Sequence, residues 1–178
     1  MKTLYKGKYL NFIQEDRWEY VKRNNCSGIV SVFPMKEDGT LIFIEQYRVP
    51  VKKWVIEFPA GLAGDLEGTS EEALHEAAQR ELFEEVGYCA HEFIPLFEGP
   101  PSAGLSGETI HFFLAKNLKK VAEGGGEEGE EIKVHEVHIS EIDAFLEKKS
   151  KEGILIDPKF YAGLYFLKYN YQPVTSRP

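Results

Sequence analysis

Alternating, continuous and helical spacings of apolar residues divide the chain into segments. Lys8 to Glu15 and Trp18 to Arg23 flank the polar turn at Glu15-Asp16-Arg17 and predict a pair of strands. In Trp18-Glu19-Tyr20-Val21-Lys22-Arg23, large groups alternate with charged ones, so one face can be buried while the other presents Glu19 and Arg23. Gly28 to Pro34 and Leu41 to Tyr47 are nearly unbroken apolar runs on either side of Glu37-Asp38-Gly39, which predicts a buried hairpin in the central sheet with Asp-Gly at its tip. Val49-Pro50 ends that run, and Lys52-Lys53-Trp54 leads into a strand over Val55 to Phe58.

A loop follows the turn at Pro59-Ala60-Gly61. Thr69 or Ser70, with Glu72, then signals the start of a helix that Gly87 stops. Strands are predicted at Glu92 to Phe97, Ile110 to Leu114 and Ile132 to Ile139. Between the first two, Gly99 to Glu108 is too rich in Gly, Pro and Ser for helix or strand and reads as a shaped loop. Lys119 to Glu131, with its run Gly124-Gly125-Gly126, has the composition of a flexible segment. Ser140 begins a helix running to about Lys149, Pro158 begins an aromatic-rich amphipathic helix ending near Tyr169, and the tail from Gln172 is expected to fray.

With 178 residues, 43% of them hydrophobic and 13% aromatic, the chain has material for the core of one ordinary domain. A net charge of −8 argues against nucleic acid or an anionic membrane as partner, because affinity for phosphate must then come from bound metal rather than from Lys and Arg. Cys26 and Cys89 have neither metal-ligand spacing nor a disulfide pattern, which favours a reducing cytoplasm. Neither a signal peptide nor a membrane-spanning apolar stretch is visible. His75, His91, His111, His135 and His138 make no ligand pattern.

The chemistry is concentrated in Arg80-Glu81-Leu82-Phe83-Glu84-Glu85-Val86-Gly87-Tyr88. At about 100° per residue, Glu84 and Glu85 fall roughly 60° to one side and 40° to the other of Glu81, so three carboxylates share a helix face. Like charges this close oppose the helix unless a cation neutralises them, and clustered hard oxygen ligands suit Mg²⁺ or Mn²⁺. From Glu72 through Tyr88 the segment resembles the Nudix box, G-x5-E-x7-R-E-U-x-E-E-x-G-U with U apolar. The box expects its first glycine where this chain has Leu66; Gly61 is the counterpart, and Gly64-Asp65-Leu66-Glu67-Gly68 reads as an inserted surface bulge. Glu67, which satisfies G-x5-E from Gly61, is the alternative to Glu72.

The resemblance extends beyond the box to the ADP-ribose pyrophosphatase branch. There a strand similar to Trp18-Glu19-Tyr20-Val21-Lys22-Arg23 stacks its tryptophan on the base, and its glutamate and arginine bond the base edge, often across a dimer interface. This implies binding roles for Trp18, Glu19 and Arg23. Gln46-Tyr47-Arg48 resembles a motif that points an arginine at the diphosphate, a task suited to a planar bidentate fork. Pro101-Ser102 to Glu108 resembles a substrate-contacting loop.

The resemblance implies a Nudix fold, that is, an α/β protein with a mixed sheet between helices, here with an N-terminal antiparallel strand pair. It implies metal held by Glu81, Glu84, Glu85 and the Ala60 carbonyl. A general base from a loop outside the box would then fall on Glu130 first, Glu128 second and Glu131 third, with Glu84 as the candidate inside the box. The implied activity is Mg²⁺-dependent hydrolysis of ADP-ribose or a related nucleoside diphosphate sugar, in a homodimer. The alternatives are a different sugar nucleotide such as GDP-mannose, or a non-catalytic nucleotide sensor. A sensor would be expected to lose box carboxylates, and all are present here.

Overall fold

The computed structural model describes residues 1–24, 26–65, 72–126 and 129–170. The chain opens with β1 (Lys2–Lys6), β2 (Leu10–Glu15) and β3 (Trp18–Arg23), a three-stranded antiparallel sheet in that order. The predicted pair is β2 and β3, in register from Glu15↔Trp18 to Leu10↔Arg23. The additional β1 is exposed at every residue, so it has no buried face that could mark it in the sequence.

Next come β4 (Gly28–Pro34), β5 (Thr40–Arg48), β6 (Lys53–Glu57) and β7 (Ala60–Ala63), then α1 (Leu74–Val86). They are followed by β8 (Tyr88–Gly99), β9 (Ile110–Lys120), β10 (Ile132–His138), α2 (Ile142–Lys151), β11 (Leu155–Ile156) and α3 (Pro158–Asn170). These strands build two four-stranded sheets, in the orders β10-β5-β6-β11 and β7-β4-β9-β8. Both are mixed, because β4 runs parallel to β9 and β6 parallel to β11 while the other pairings are antiparallel.

The hairpin predicted for β4 and β5 does not form. The strands touch through the bridge Met35↔Leu41 and then enter different sheets. Each already has both edges occupied, β4 by β7 and β9, β5 by β10 and β6. Strands apolar on both faces carry no alternation that would specify such neighbours. β7 likewise replaces part of a predicted loop, since Ala-Gly-Leu-Ala lacks strand character and is held by its pairing with β4, Ser31↔Ala60 to Gly28↔Ala63. α1 begins at Leu74 with Ala73 as its N-cap; Thr69, Ser70, the bulge residues 66–68 and the tail from Gln172 lie outside the described residues.

Along β5 the side chains alternate between two cores. Leu41 and Phe43 face Phe33, Phe58, Ile142, Leu146 and Phe160, where Phe160 of α3 stacks on Phe58 at 4.3 Å. Ile42 and Ile44 face Val30, Val32, Ala77, Ala78, Leu82 and Val86 beneath α1. The sheets therefore lie between α1 on one side and α2 with α3 on the other. Because Ala77, Ala78, Leu82 and Val86 commit one stripe of α1 to the core, the stripe bearing Glu81, Glu84 and Glu85 turns toward the edge at β7. Among the described residues no helix is long and apolar enough to cross a membrane.

Candidate active site

That acidic stripe forms one wall of a cleft of about 510 Å³, which Arg23, Arg48, Glu57, Ala60, Gly61, Arg80, Glu108, Glu130 and Lys159 also line. Arg80 organises the wall. Its guanidinium donates to Glu81 (2.8 Å), Glu84 (3.1 Å) and Glu72 (3.1 Å), and to the Leu62 carbonyl (2.6 Å). Asp65 lies 3.5 Å away. Glu72 also accepts from the Gly64 N–H at 3.0 Å, so it ties the helix entrance to the end of β7, while Glu67 lies outside the described residues. Burial acts to lower the pKa of Arg80, but the Glu72 hydrogen bond and the charges of Glu81 and Glu84 outweigh it and raise it.

One guanidinium does not balance this much negative charge. Burial pushes Glu81 up to about 7 against the pull of Arg80, and Glu84 adds to the rise. Glu85 is 4% exposed and raised well above the ordinary carboxylate range, by burial first and then by Glu81, against the pull of the Ala60 N–H, which donates to it at 3.0 Å. Among the described residues, no three His, Cys, Asp or Glu side chains already converge as a ligand set, because Glu81 and Glu84 turn onto Arg80 and Glu85 onto Ala60. The donors themselves, clustered hard oxygens with surplus negative charge, fit a divalent cation. Gly61 is a condition of this packing: a Cβ there would lie 2.0 Å from the Glu81 carboxyl carbon, so only glycine lets that carboxylate rest on the strand.

The cations across the cleft are also anchored. Arg48 Nε donates to Glu57 at 2.6 Å, and Glu57, raised by burial against the pull of Arg48, ends β6 opposite Ile44. Arg23 Nε donates to Glu108 at 2.9 Å. That pair forms because the loop before Glu108 is stitched to β3, with Val21 N–H donating to the Leu105 carbonyl (2.9 Å) and Gly107 N–H to the Val21 carbonyl (3.0 Å). Glu57 and Lys159 are lining residues that the sequence did not single out. Glu57, the polar end of an apolar strand next to Pro59-Ala60-Gly61, offered a signal; Lys159, in the first turn of α3, offered none.

Glu130 stands exposed at the rim, its Oε1 3.4 Å from Gln46 Nε2. Glu131 is exposed and does not line the cleft, and Glu128 lies outside the described residues. Trp18 and Glu19 are not brought to this cleft. Trp18, 54% exposed, lines a separate hollow with Tyr20 and Gly104. Trp18 and Arg23 end the same strand, which sets them roughly 17 Å apart along it.

The chain matches the NUDIX domain over residues 27–158, a span that includes the lining residues from Ile29 to Glu130. It is 29% identical over 156 residues to an ADP-ribose pyrophosphatase of Bacillus subtilis, covering 82% of this chain and 80% of that protein. Over 140 residues it is 34% identical to a GDP-mannose pyrophosphatase of Cronobacter sakazakii, covering 75% of this chain and 69% of that one. It is 32% identical over 123 residues to a methanol dehydrogenase activator of Bacillus methanolicus, covering 68% of this chain and spanning 64% of that protein's length. The crystal structure of an ADP compounds hydrolase shares the fold, with a TM-score of 0.67 at 21% identity over 99% of this chain and 94% of that one. Because the domain match covers most of the chain, including the acidic helix and nearly all of the cleft around it, the chain belongs to the Nudix family.

Proposed function

We propose that this protein is a Mg²⁺-dependent hydrolase that splits the diphosphate of ADP-ribose, or of a related nucleoside diphosphate sugar, into a nucleoside monophosphate and a sugar phosphate. The observation that carries the reading is the pairing of opposite demands in one cleft. An undercompensated carboxylate cluster on α1 calls for a cation, and Arg48 and Arg23 opposite it call for an anion. A diphosphate complexed with a divalent metal satisfies both. The ADP-ribose and GDP-mannose pyrophosphatases among the relatives support the substrate class.

Glu81, Glu84, Glu85 and the Ala60 carbonyl would hold the metal, with Mg²⁺ preferred and Mn²⁺ a substitute. When bound, it supplies charge neutralisation on the diphosphate and makes a water more acidic. Glu57 holds the Nε edge of Arg48, which orients the guanidinium fork so that it can meet phosphate oxygens. Glu130 accepts the proton of the attacking water as the new P–O bond forms and the bridging P–O bond breaks. Carboxylates committed to cations have depressed basicity, so a carboxylate at the rim is the better acceptor. Arg23, fixed by Glu108, faces the nucleotide.

Trp18 and Glu19 enter as parts of a homodimer. The N-terminal sheet exposes Tyr5 and Phe12 on one face and Trp18 on the other, and packing this sheet against a second copy would bring the Trp18 stacking surface to the partner's nucleotide. The free thiols of Cys26 and Cys89 fit a cytoplasmic setting. GDP-mannose is the second candidate substrate, favoured by the Cronobacter sakazakii relative. A turnover panel of sugar nucleotides with Mg²⁺ and with Mn²⁺ tests the proposal. ADP-ribose should give AMP and ribose 5-phosphate; no turnover of any nucleoside diphosphate sugar with either metal contradicts it.

A further inference from the structure

Glu130 is surrounded by features that the reaction as described does not use. The segment before it lies flat on the C-terminal end of α1. Gly125 N–H donates to the Glu85 carbonyl at 2.9 Å and Gly126 N–H to the Glu84 carbonyl at 3.0 Å, capping groups that the end of a helix leaves without intrahelical partners. Val121 and Ala122 N–H both donate to the Gly87 carbonyl, at 2.9 and 3.0 Å. Gly124, Gly125 and Gly126 have φ of 73°, 114° and 79°, and a Cβ on Gly124 would come within 2.5 Å of the Val86 carbonyl carbon. The run expected to be loose thus makes a strap bonded to the same residues whose side chains form the acidic wall. Its last glycine abuts Glu130, since a Cβ on Gly126 would lie 2.3 Å from Glu130 Oε2. On the other side stands Gln46, 6% exposed, with its Nε2 3.4 Å from Glu130 Oε1 and its own Oε1 buried without a partner among the described residues. Leaving an amide oxygen unmatched in a core position is costly, and packing alone does not require an amide there.

We propose that Gln46 and the Gly124–Gly126 strap are positioning residues that hold the Glu130 carboxylate in fixed register with the acidic face of α1. The inference rests on the assignment of Glu130 as the general base. An exposed glutamate has many rotamers, and proton transfer in the transition state requires one of them. The strap fixes the backbone near Glu130 to the helix that carries the metal ligands, and the Gln46 amide selects the rotamer.

The test is a double-mutant cycle on the full-length protein with ADP-ribose and Mg²⁺. Gln46→Leu removes the donor and the unmatched acceptor together. It should therefore leave Tm unchanged or higher, with KM and the half-saturating Mg²⁺ concentration unmoved, while kcat falls about tenfold. In a Glu130→Gln background the same substitution should have no further effect. Gly126→Ala, whose Cβ would meet the side chains of Glu130 and Ile132, should show the same non-additivity and decides the matter if Gln46→Leu lowers Tm. Wild-type kcat in a stable Gln46→Leu, or an equal loss in both backgrounds, overturns the positioning role while leaving the base assignment standing. Wild-type kcat in Glu130→Gln overturns the base assignment and this inference with it.

Discussion

Glu81 shows how little neutralisation the acidic wall has. Burial pushes its carboxyl up to about 7, against an ordinary 4.5, even with Arg80 at 2.8 Å. Between those values the folded protein binds more protons than the unfolded chain, so metal-free stability falls as pH rises from 4.5 to about 7 and levels off above. A divalent cation needs the deprotonated form. Thermal unfolding should therefore show a larger Mg²⁺-induced gain in Tm at about pH 8 than at about pH 5. Equal gains at both would contradict the assignment. The three carboxylates were legible in the sequence because helical spacing places them on one face, and Arg48 because it ends a strand in a recognisable tripeptide. Gln46 was written in the same tripeptide, but its reach to Glu130 depends on β10 pairing Ile132 with Gln46, a contact 86 positions apart that no local pattern encodes.

At the scale of elements, β7 brings its backbone against α1, and Gly61 is the contact. Gly61→Ala should displace the Glu81 carboxylate, a flexible group, rather than the strand. Mg²⁺ affinity measured by activity titration should weaken about tenfold while Tm changes by only a few degrees. Unchanged affinity would mean that Glu81 is not held as described. A second carboxylate joins three elements on the opposite face. Glu45 of β5 is 1% exposed and meets Lys133 of β10 (2.9 Å), His135 (3.1 Å) and Lys149 of α2 (2.7 Å). Burial pushes it up, but hydrogen bonds from Lys149 and Lys133 outweigh that and hold it at about 2. Its depressed pKa contributes stability above 4.5 that is lost as pH falls toward about 2. Glu45→Gln should cost roughly 2–3 kcal/mol by denaturant unfolding at neutral pH, and the cost should shrink in acid. A cost independent of pH would refute that account. In sequence Glu45 is one polar residue ending an apolar run. Long apolar strands were legible while their partners were not, which is why β4 and β5 read as a hairpin and why the short strands β1, β7 and β11 escaped notice.

At the scale of the molecule, the cleft of one chain has Arg23 and Glu108 but, among its described lining residues, lacks the aromatic group its family resemblance implies, because Trp18 sits at the far end of β3. The proposed homodimer through the N-terminal sheet would resolve this. Sedimentation should give a dimer at micromolar concentration, and Trp18→Ala should raise KM for ADP-ribose about tenfold with a smaller change in kcat, the pattern of lost ground-state stacking. A fully active monomer would contradict the arrangement. The most direct measurement of the central claim is ADP-ribose hydrolysis by Glu85→Gln at saturating Mg²⁺. Removing one ligand charge without opening a cavity should leave the fold intact and lower kcat by more than about a hundredfold, a loss of roughly 3 kcal/mol of transition-state stabilisation. A folded Glu85→Gln protein that retains more than about a tenth of wild-type turnover would show that the carboxylate cluster of α1 is not where the diphosphate is cleaved.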